Sequence, residues 1–361
     1  MIKKIIKGTL LIILALVIIF AGLVFYLSSG RRNSLKDHEK WLNELKNQDE
    51  NTYLINEQEF YDFDLSATKF NEIQLLASHN SYKKKITGLG KTFVSLAAGK
   101  KEGEALLYEN KTLTEQLNSG IRSFELDVRL RGNEFEITHV PLADNKSIAV
   151  SLKLAFEEIA LFSNRNDSHI PIIIILEIKD DFMFLDPFLK SIGNEELSLL
   201  NDLVLEQFGD SLYKPSDVIR NNQTLNQTIK TNGWDSLNQM LGDVMVVVHA
   251  GKYAKLYDET FTDIKDANLF ISGYKEDKDN DNVAFIIHND LNVESIKSLV
   301  SENLIVRTRI DSELDFDKEN FEKAVNSHAQ ILTSDFTVAR KDLSGSEYIY
   351  LGKNKTTVKE R

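Results

Sequence analysis

Apolar residues recur along this chain in short runs, and most of the runs end in a charged, imidazole or amide side chain. "IQLLASH" (73–79), "RSFELDV" (122–128), "FEITH" (135–139), "IIIILEIK" (172–179), "DVMVVVH" (243–249), "VAFIIHN" (283–289), "LIVRTRID" (304–311) and "QILTSDF" (330–336) are all of strand length, with longer amphipathic or polar segments between them. Strands alternating with helical stretches predict parallel βα units, and eight such units close into a barrel. The polar endings agree with this, because the carboxyl ends of the strands in such a barrel meet at one face. The pattern therefore predicts an α/β fold, a (β/α)8 TIM-type barrel whose mouth gathers the polar strand ends.

The first thirty-two residues follow a different pattern. Lys3, Lys4 and Lys7 precede an uncharged stretch from Gly8 to Gly30, which Arg31 and Arg32 close. About twenty apolar residues cross a bilayer as a helix, whereas a cleavable signal has an apolar core of roughly 7–15. An N-terminal transmembrane helix is the expectation, with cleavage after Gly30 as the alternative. Basic residues on both flanks leave the positive-inside rule nearly silent. The expected organisation is an anchor or signal over 1–32, a polar, helix-prone connector over 33–60, the barrel over 61–345 and a C-terminal tail over 346–361. The catalytic domain is expected outside the cytoplasm, membrane-anchored or, after cleavage, secreted.

Composition narrows the function. Across 361 residues, 43 Lys and Arg face 55 Asp and Glu, and a net charge of -12 disfavours a nucleic-acid partner, which needs a basic face. The chain has no cysteine, which excludes disulfide frameworks, thiolate metal sites and Cys nucleophiles. No protein partner can be inferred.

Side chains alternate along a strand, so Glu125, Asp127 and Arg129 share one face, as do Glu177 and Lys179, and Arg307 and Arg309. Two acids on one buried face must be paired or hold a metal. Asn80, Glu125, Asp127 and Glu177 offer three carboxylates and an amide oxygen, a hard donor set that suits Ca2+ or Mg2+ better than zinc. His79 and His139 stand beside them, and two imidazoles next to a divalent cation are parts for phosphodiester cleavage. Lys179, Arg309 and Arg129 would suit an anionic substrate. The ordinary alternatives are a structural ion pair of Glu125 or Asp127 with Arg122 or Arg129, and Lys179 serving only as partner to Glu177. His249 and His288 end strands without an assigned chemistry, while His38, His169 and His328 are read as surface residues. "DKDNDN" (277–282) starts like an EF-hand loop but has Asn282 where Gly is needed and His288 where a bidentate Glu is needed, so it reads as a turn.

"ASHNSY", "FELDVRL", "ITHVP" and "LEIKD", in this order, resemble the calcium-dependent phosphoinositide phospholipase C-like phosphodiesterases of bacteria, and "GWDSLNQMLGDVMVVV", "VRTRID" and "ILTSDF" look like that family's C-terminal half. The resemblance implies His79 and His139 as the catalytic pair, Asn80, Glu125, Asp127 and Glu177 as ligands of Ca2+ ahead of Mg2+, and Lys179 on a substrate phosphate. It further implies attack by an inositol 2-hydroxyl, giving diacylglycerol and a cyclic inositol phosphate from a phospholipid. Glycerophosphodiester phosphodiesterases share "ELDV" with a downstream histidine, but their first strand typically ends in His-Arg where this chain has His79-Asn80. The second expectation is thus hydrolysis of a soluble or lipid diester, and the third a catalytically silent envelope-binding barrel. The basic, partly apolar stretch from Lys83 to Gly103 is expected to rest on an anionic membrane surface.

Overall fold

Isoleucine and valine dominate the strands, and their branched side chains suit a sheet covered on both faces. In the computed structural model, which describes residues 2–49, 52, 54–86, 88–311 and 316–361, eleven strands form one sheet. They are β1 (Ile73–Ser78), β2 (Ser123–Arg131), β3 (Glu134–Ile137), β4 (Ile172–Ile178), β5 (Leu189–Lys190), β6 (Val244–Val248), β7 (Phe270–Gly273), β8 (Val283–Ile287), β9 (Ile305–Arg309), β10 (Ile331–Ser334) and β11 (Val358–Glu360). Parallel pairing runs β1, β2, β4, β6, β7, β8, β9, β10 and back to β1, so the eight-stranded barrel is closed.

The barrel is the expected one, with one exchange among its strands. The run 135–139 lies outside the closed ring: β3 folds back antiparallel on β2, with Val128 opposite Ile137 and Arg131 opposite Glu134. Only Gly132 and Asn133 lie between them, and Gly132 takes φ +64°, as a two-residue hairpin turn requires. The ring is completed instead by β7, four residues in "NLFISGY" that are too short to stand out by periodicity. Near the C-terminus, β11 pairs antiparallel with β1, Ile73 opposite Glu360, and so adds an outer strand to the sheet.

Helix α1 runs unbroken from Ile2 to Asn47, so the apolar stretch and most of the polar connector are one rod. Its apolar part, including Leu10, Ile18, Phe20 and Phe25, is exposed, and the helix is long and apolar enough to cross a membrane. Beyond Gly30 the same helix docks on the barrel. Ser34, His38, Leu42 and Leu45 recur at helical spacing and are all buried. Glu158, on the barrel helix Leu152–Arg165, is the anchor point. It accepts hydrogen bonds from Trp41 Nε1 at 3.0 Å and the Thr114 backbone N–H at 2.8 Å, and its other oxygen lies 2.9 Å from His38 Nε2. Reading His38 and His169 as surface residues is corrected by their burial. His169 sits between Ser163 Oγ at 2.8 Å and the Ile170 carbonyl at 2.7 Å, and burial pulls its pKa down to about 4. His38 stands in step with Ser34, Leu42 and Leu45 on the helix face that docks on the barrel, whereas His169 is held by a local turn where no period marks burial.

Asp243, just before β6, gives a stability prediction. Burial, and then the carboxylates of Asp217 and Asp235, push it up to about 7. A folded pKa above the unfolded value means the folded state holds its proton more tightly. Stability from this group is therefore full below about pH 4 and is lost as pH rises through about 7. Partial solvent exposure screens the effect, so Asp243→Asn is expected to stabilise the protein by about 1–2 kcal/mol at pH 8 and by little at pH 4. Thermal melts at the two pH values check this; equal gains at both would contradict it.

Candidate active site

The carboxyl ends of the barrel strands bring one polar cluster together. Asp127 lies beside Glu177 in the β2–β4 register, and Glu125, Asp127 and Glu177 offer oxygens all within 4.8 Å of one another. Asn80 follows β1 with φ +42°, a conformation that asparagine tolerates better than most residues. The Ser81 N–H donates to the Glu125 carbonyl at 3.0 Å, which sets Asn80 alongside the carboxylates. Its Oδ1 accepts from the Tyr82 hydroxyl at 3.2 Å.

Asp127 is the telling member. It is 1% exposed, and neither carboxylate oxygen has a hydrogen-bond partner at ordinary distance: Lys179 Nζ lies 3.7 Å from Oδ2, and the Tyr82 hydroxyl, whose pKa burial and then Asp127 raise, donates to Asn80 Oδ1 instead. Burial, helped by Glu177 and Glu125, pushes Asp127 up to about 6 against the pull of Lys179 and His139. Two orphaned carboxylate oxygens, converging with two further carboxylates, fit a hard divalent cation. Glu125 behaves differently: burial opposes its charge, but Arg307 and His79 outweigh it and hold its carboxyl at about 2. Arg307 reaches it from β9.

The two histidines flank this cluster, each oriented by an acid. His79 Nδ1 lies 3.0 Å from Asp335 Oδ1, and its Nε2 lies 3.7 Å from Glu125 Oε1. Burial lowers its proton affinity, but Asp335 and Glu125 more than reverse that, so its pKa is raised. Arg309 joins the group, with Nη2 at 3.2 Å from His79 Nδ1 and 3.3 Å from Asp335 Oδ2. His139 is carried back over the mouth by the β2–β3 hairpin, because the Thr138 N–H donates to the Asp127 carbonyl at 3.0 Å. Its Nδ1 lies 3.1 Å from Asp144 Oδ2, and Asp144 is held in turn by the buried Lys83. Burial opposes the charge on Asp144, yet Lys83 and His139 keep its pKa low.

Of the expected site residues, eight stand together: His79, His139, Asn80, Glu125, Asp127, Glu177, Lys179 and Arg309. Lys179 Nζ lies 2.5 Å from Glu177 Oε1. Arg129 does not face substrate. Its guanidinium is buried and donates to the carbonyls of Thr138, His139 and Asp181 at 3.2, 2.8 and 2.6 Å, and to Asp181 Oδ1 at 2.6 Å. It braces the backbone on either side of the mouth. Arg122 pairs with Glu57, so neither arginine suspected as a partner touches Glu125 or Asp127. The lysine patch loses Lys83, fully buried on Asp144. His288 is satisfied by Ser295 Oγ and Asp290, both at 2.8 Å, whereas burial lowers the pKa of His249 beside Glu177 and Glu125. Sequence reasoning missed Asp335, Asp144 and Lys83. Asp335 had a signal, since it ends the last barrel strand; Asp144 and Lys83 lie in loops where no period marks them.

The family model described as phosphoinositide phospholipase C, Ca2+-dependent, matches residues 68–131 and 129–360. No curated protein matches the chain. Among solved structures, the calcium-dependent phosphoinositol-specific phospholipase C of a Gram-negative Pseudomonas species, one form of which is a myoinositol complex, is 18% identical. The match covers 85% of this chain and all of that one, with a TM-score of 0.61. The Ca2+-dependent phosphatidylinositol-specific enzyme of Streptomyces antibioticus is 15% identical, covers 74% of this chain and 95% of its own, and gives a TM-score of 0.56. The family match spans the barrel and every site residue named above, and the chain belongs to the Ca2+-dependent phosphoinositide phospholipase C family of phosphodiesterases.

Proposed function

We propose that the protein is a membrane-anchored phospholipase C, held by α1 with its barrel outside the cytoplasm, that cleaves the glycerol-phosphate ester of a phosphoinositide-like lipid. The observation that carries this reading is the orphaned carboxylate of Asp127 between two acid-oriented histidines. Asn80, Glu125, Asp127 and Glu177 would hold Ca2+, which supplies positive charge that draws electron density from the phosphoryl group.

The remaining chemistry belongs to side chains. A carboxylate of the cluster takes the proton of the inositol 2-hydroxyl as that oxygen forms its bond to phosphorus. His79, whose proton Asp335 and Glu125 help to hold, donates a hydrogen bond to a phosphoryl oxygen. Lys179 and Arg309 add cationic contacts to the phosphate. His139, held in orientation by Asp144, passes a proton to the glycerol oxygen as the P–O bond breaks. The products are diacylglycerol and a cyclic inositol phosphate.

A lipid substrate is supported by the rim. Phe182, Phe184 and Phe188 follow β4 and Leu89, Phe93 and Leu96 lie on the helix Gly88–Ala98 that follows β1, so both sets stand on the mouth side; all are exposed. Large exposed apolar groups gathered at one face mark an interaction surface. Mass spectrometry of the first water-soluble product from phosphatidylinositol vesicles tests the reaction. A cyclic phosphate is expected, since only attack by a neighbouring hydroxyl gives one; an acyclic monoester at the shortest times would assign the attack to water.

A further inference from the structure

The loop that carries His139 and its partner Asp144 is gripped from both sides, and one of the grips is the membrane helix. On the α1 side, Asn145 Nδ2 donates to the Leu27 carbonyl at 3.1 Å, and the Ser147 N–H donates to Ser34 Oγ at 3.3 Å. Gly30 permits this approach: a Cβ there would stand 2.8 Å from Asn145 Oδ1 and 3.1 Å from Lys146 Cγ. On the other side lies α2 (Gly88–Ala98), where a Cβ on Gly90 would stand 2.4 Å from the Ala143 carbonyl oxygen. Lower down, Arg31 Nε donates to the buried Glu136 of β3 at 2.6 Å. Because α1 continues without a break to the buried contacts of His38 and Trp41 with Glu158, its Leu27–Ser34 segment is tied to the barrel through the same helix.

We infer that α1 is a positioning element of the active site as well as an anchor: its Leu27–Ser34 segment sets the loop that holds Asp144 against His139. The inference rests on the phosphodiesterase reading of His139 but not on membrane insertion. Displacing residues 145–147 shifts Asp144, which lies one residue before them, and a displacement on the order of 1 Å at a catalytic group costs up to about 100-fold in rate. A chain cut after Gly30 would lose the Leu27 contact and the apolar flank of this loop.

The test uses the full-length chain in detergent with glycerophosphoinositol, a soluble diester that needs no membrane. Gly30→Leu is expected to lower kcat about 10-fold or more with KM within about 2-fold, and to speed amide exchange over residues 142–147. Gly22→Leu makes the same change where a Cβ would meet nothing within 4 Å and is expected to match wild type in both. If Gly30→Leu fails to fold, Asn145→Ala, which removes the bond to Leu27 and the amide packed against Gly30, replaces it, with a loss of about 3-fold expected and the same local rise in exchange. Wild-type kcat with faster exchange, or reduced kcat with unchanged exchange, would overturn the inference. Should wild type leave the diester intact while exchange responds as expected, the substrate reading fails and the grip of α1 on the loop stands.

Discussion

Asp127→Asn is expected to lower turnover on the order of 10³-fold and at the same time to leave the metal-free protein as stable as wild type or more so. The two halves of that result come from one fact. Asp127 is buried, the nearest donors, Lys179 Nζ and the Tyr82 hydroxyl, are both engaged elsewhere, and two further carboxylates converge on the same space. Without a cation, its charge costs folding free energy that an amide would not. An asparagine there would also donate to Glu125 or Glu177. On the proposed reading the same oxygens would be ligands of the cation, so Ca2+ at 100 times its dissociation constant should stabilise wild type by about 2.7 kcal/mol and the variant by much less. Melting curves with and without Ca2+ check this. A variant that is destabilised without Ca2+ and still gains the wild-type increment would remove Asp127 from the metal site.

His139→Gln is the second large effect, expected to cost about 10²–10⁴-fold in kcat with little change in KM. Glutamine is polar and close to histidine in size but cannot deliver a proton. The loss should depend on the leaving group. With an inositol phosphate ester of an acidic phenol, which departs without protonation, His139→Gln should recover most of its rate. His79→Gln should not recover, because a group that stabilises charge on the phosphoryl oxygens is needed for either leaving group. Equal losses for the two variants on both substrates would contradict the division of roles.

How much of this was legible in the sequence follows from where each residue lies. Strand ends were legible, because an apolar run that stops at a His, Asp, Glu or Lys announces both the strand and the face on which it ends. That is why His79, Glu125, Asp127, Glu177 and Arg309 were found from their runs alone. The run 135–139 shows the limit: its alternation marks a strand truly, but only the Gly132-Asn133 turn before it distinguishes a hairpin partner from a barrel strand. The hairpin is what returns His139 to the level of Asp127, so the misplacement in the fold left the site intact.

Arg129 was misread for a related reason. Strand alternation puts it on the face of Glu125 and Asp127, but two residues beyond Asp127 the chain has left the closed ring, and the side chain meets the loop carbonyls of Thr138, His139 and Asp181. Asp144 and Lys83 were invisible because their pairing joins two loops 61 positions apart, which no local period reports. His38 did share a helical period with Ser34, Leu42 and Leu45, but its partner Glu158 lies 120 positions away, beyond any local pattern.

The most direct test of the account follows diacylglycerol release from phosphatidylinositol vesicles bearing the reconstituted full-length protein, with Ca2+ supplied, removed by a chelator and restored. Release that starts with Ca2+, stops on chelation and resumes on restoration, with phosphatidylcholine vesicles left intact, is the predicted result. Release that continues at the same rate in chelator would contradict the assignment of the Asn80, Glu125, Asp127 and Glu177 cluster to a cation required for turnover.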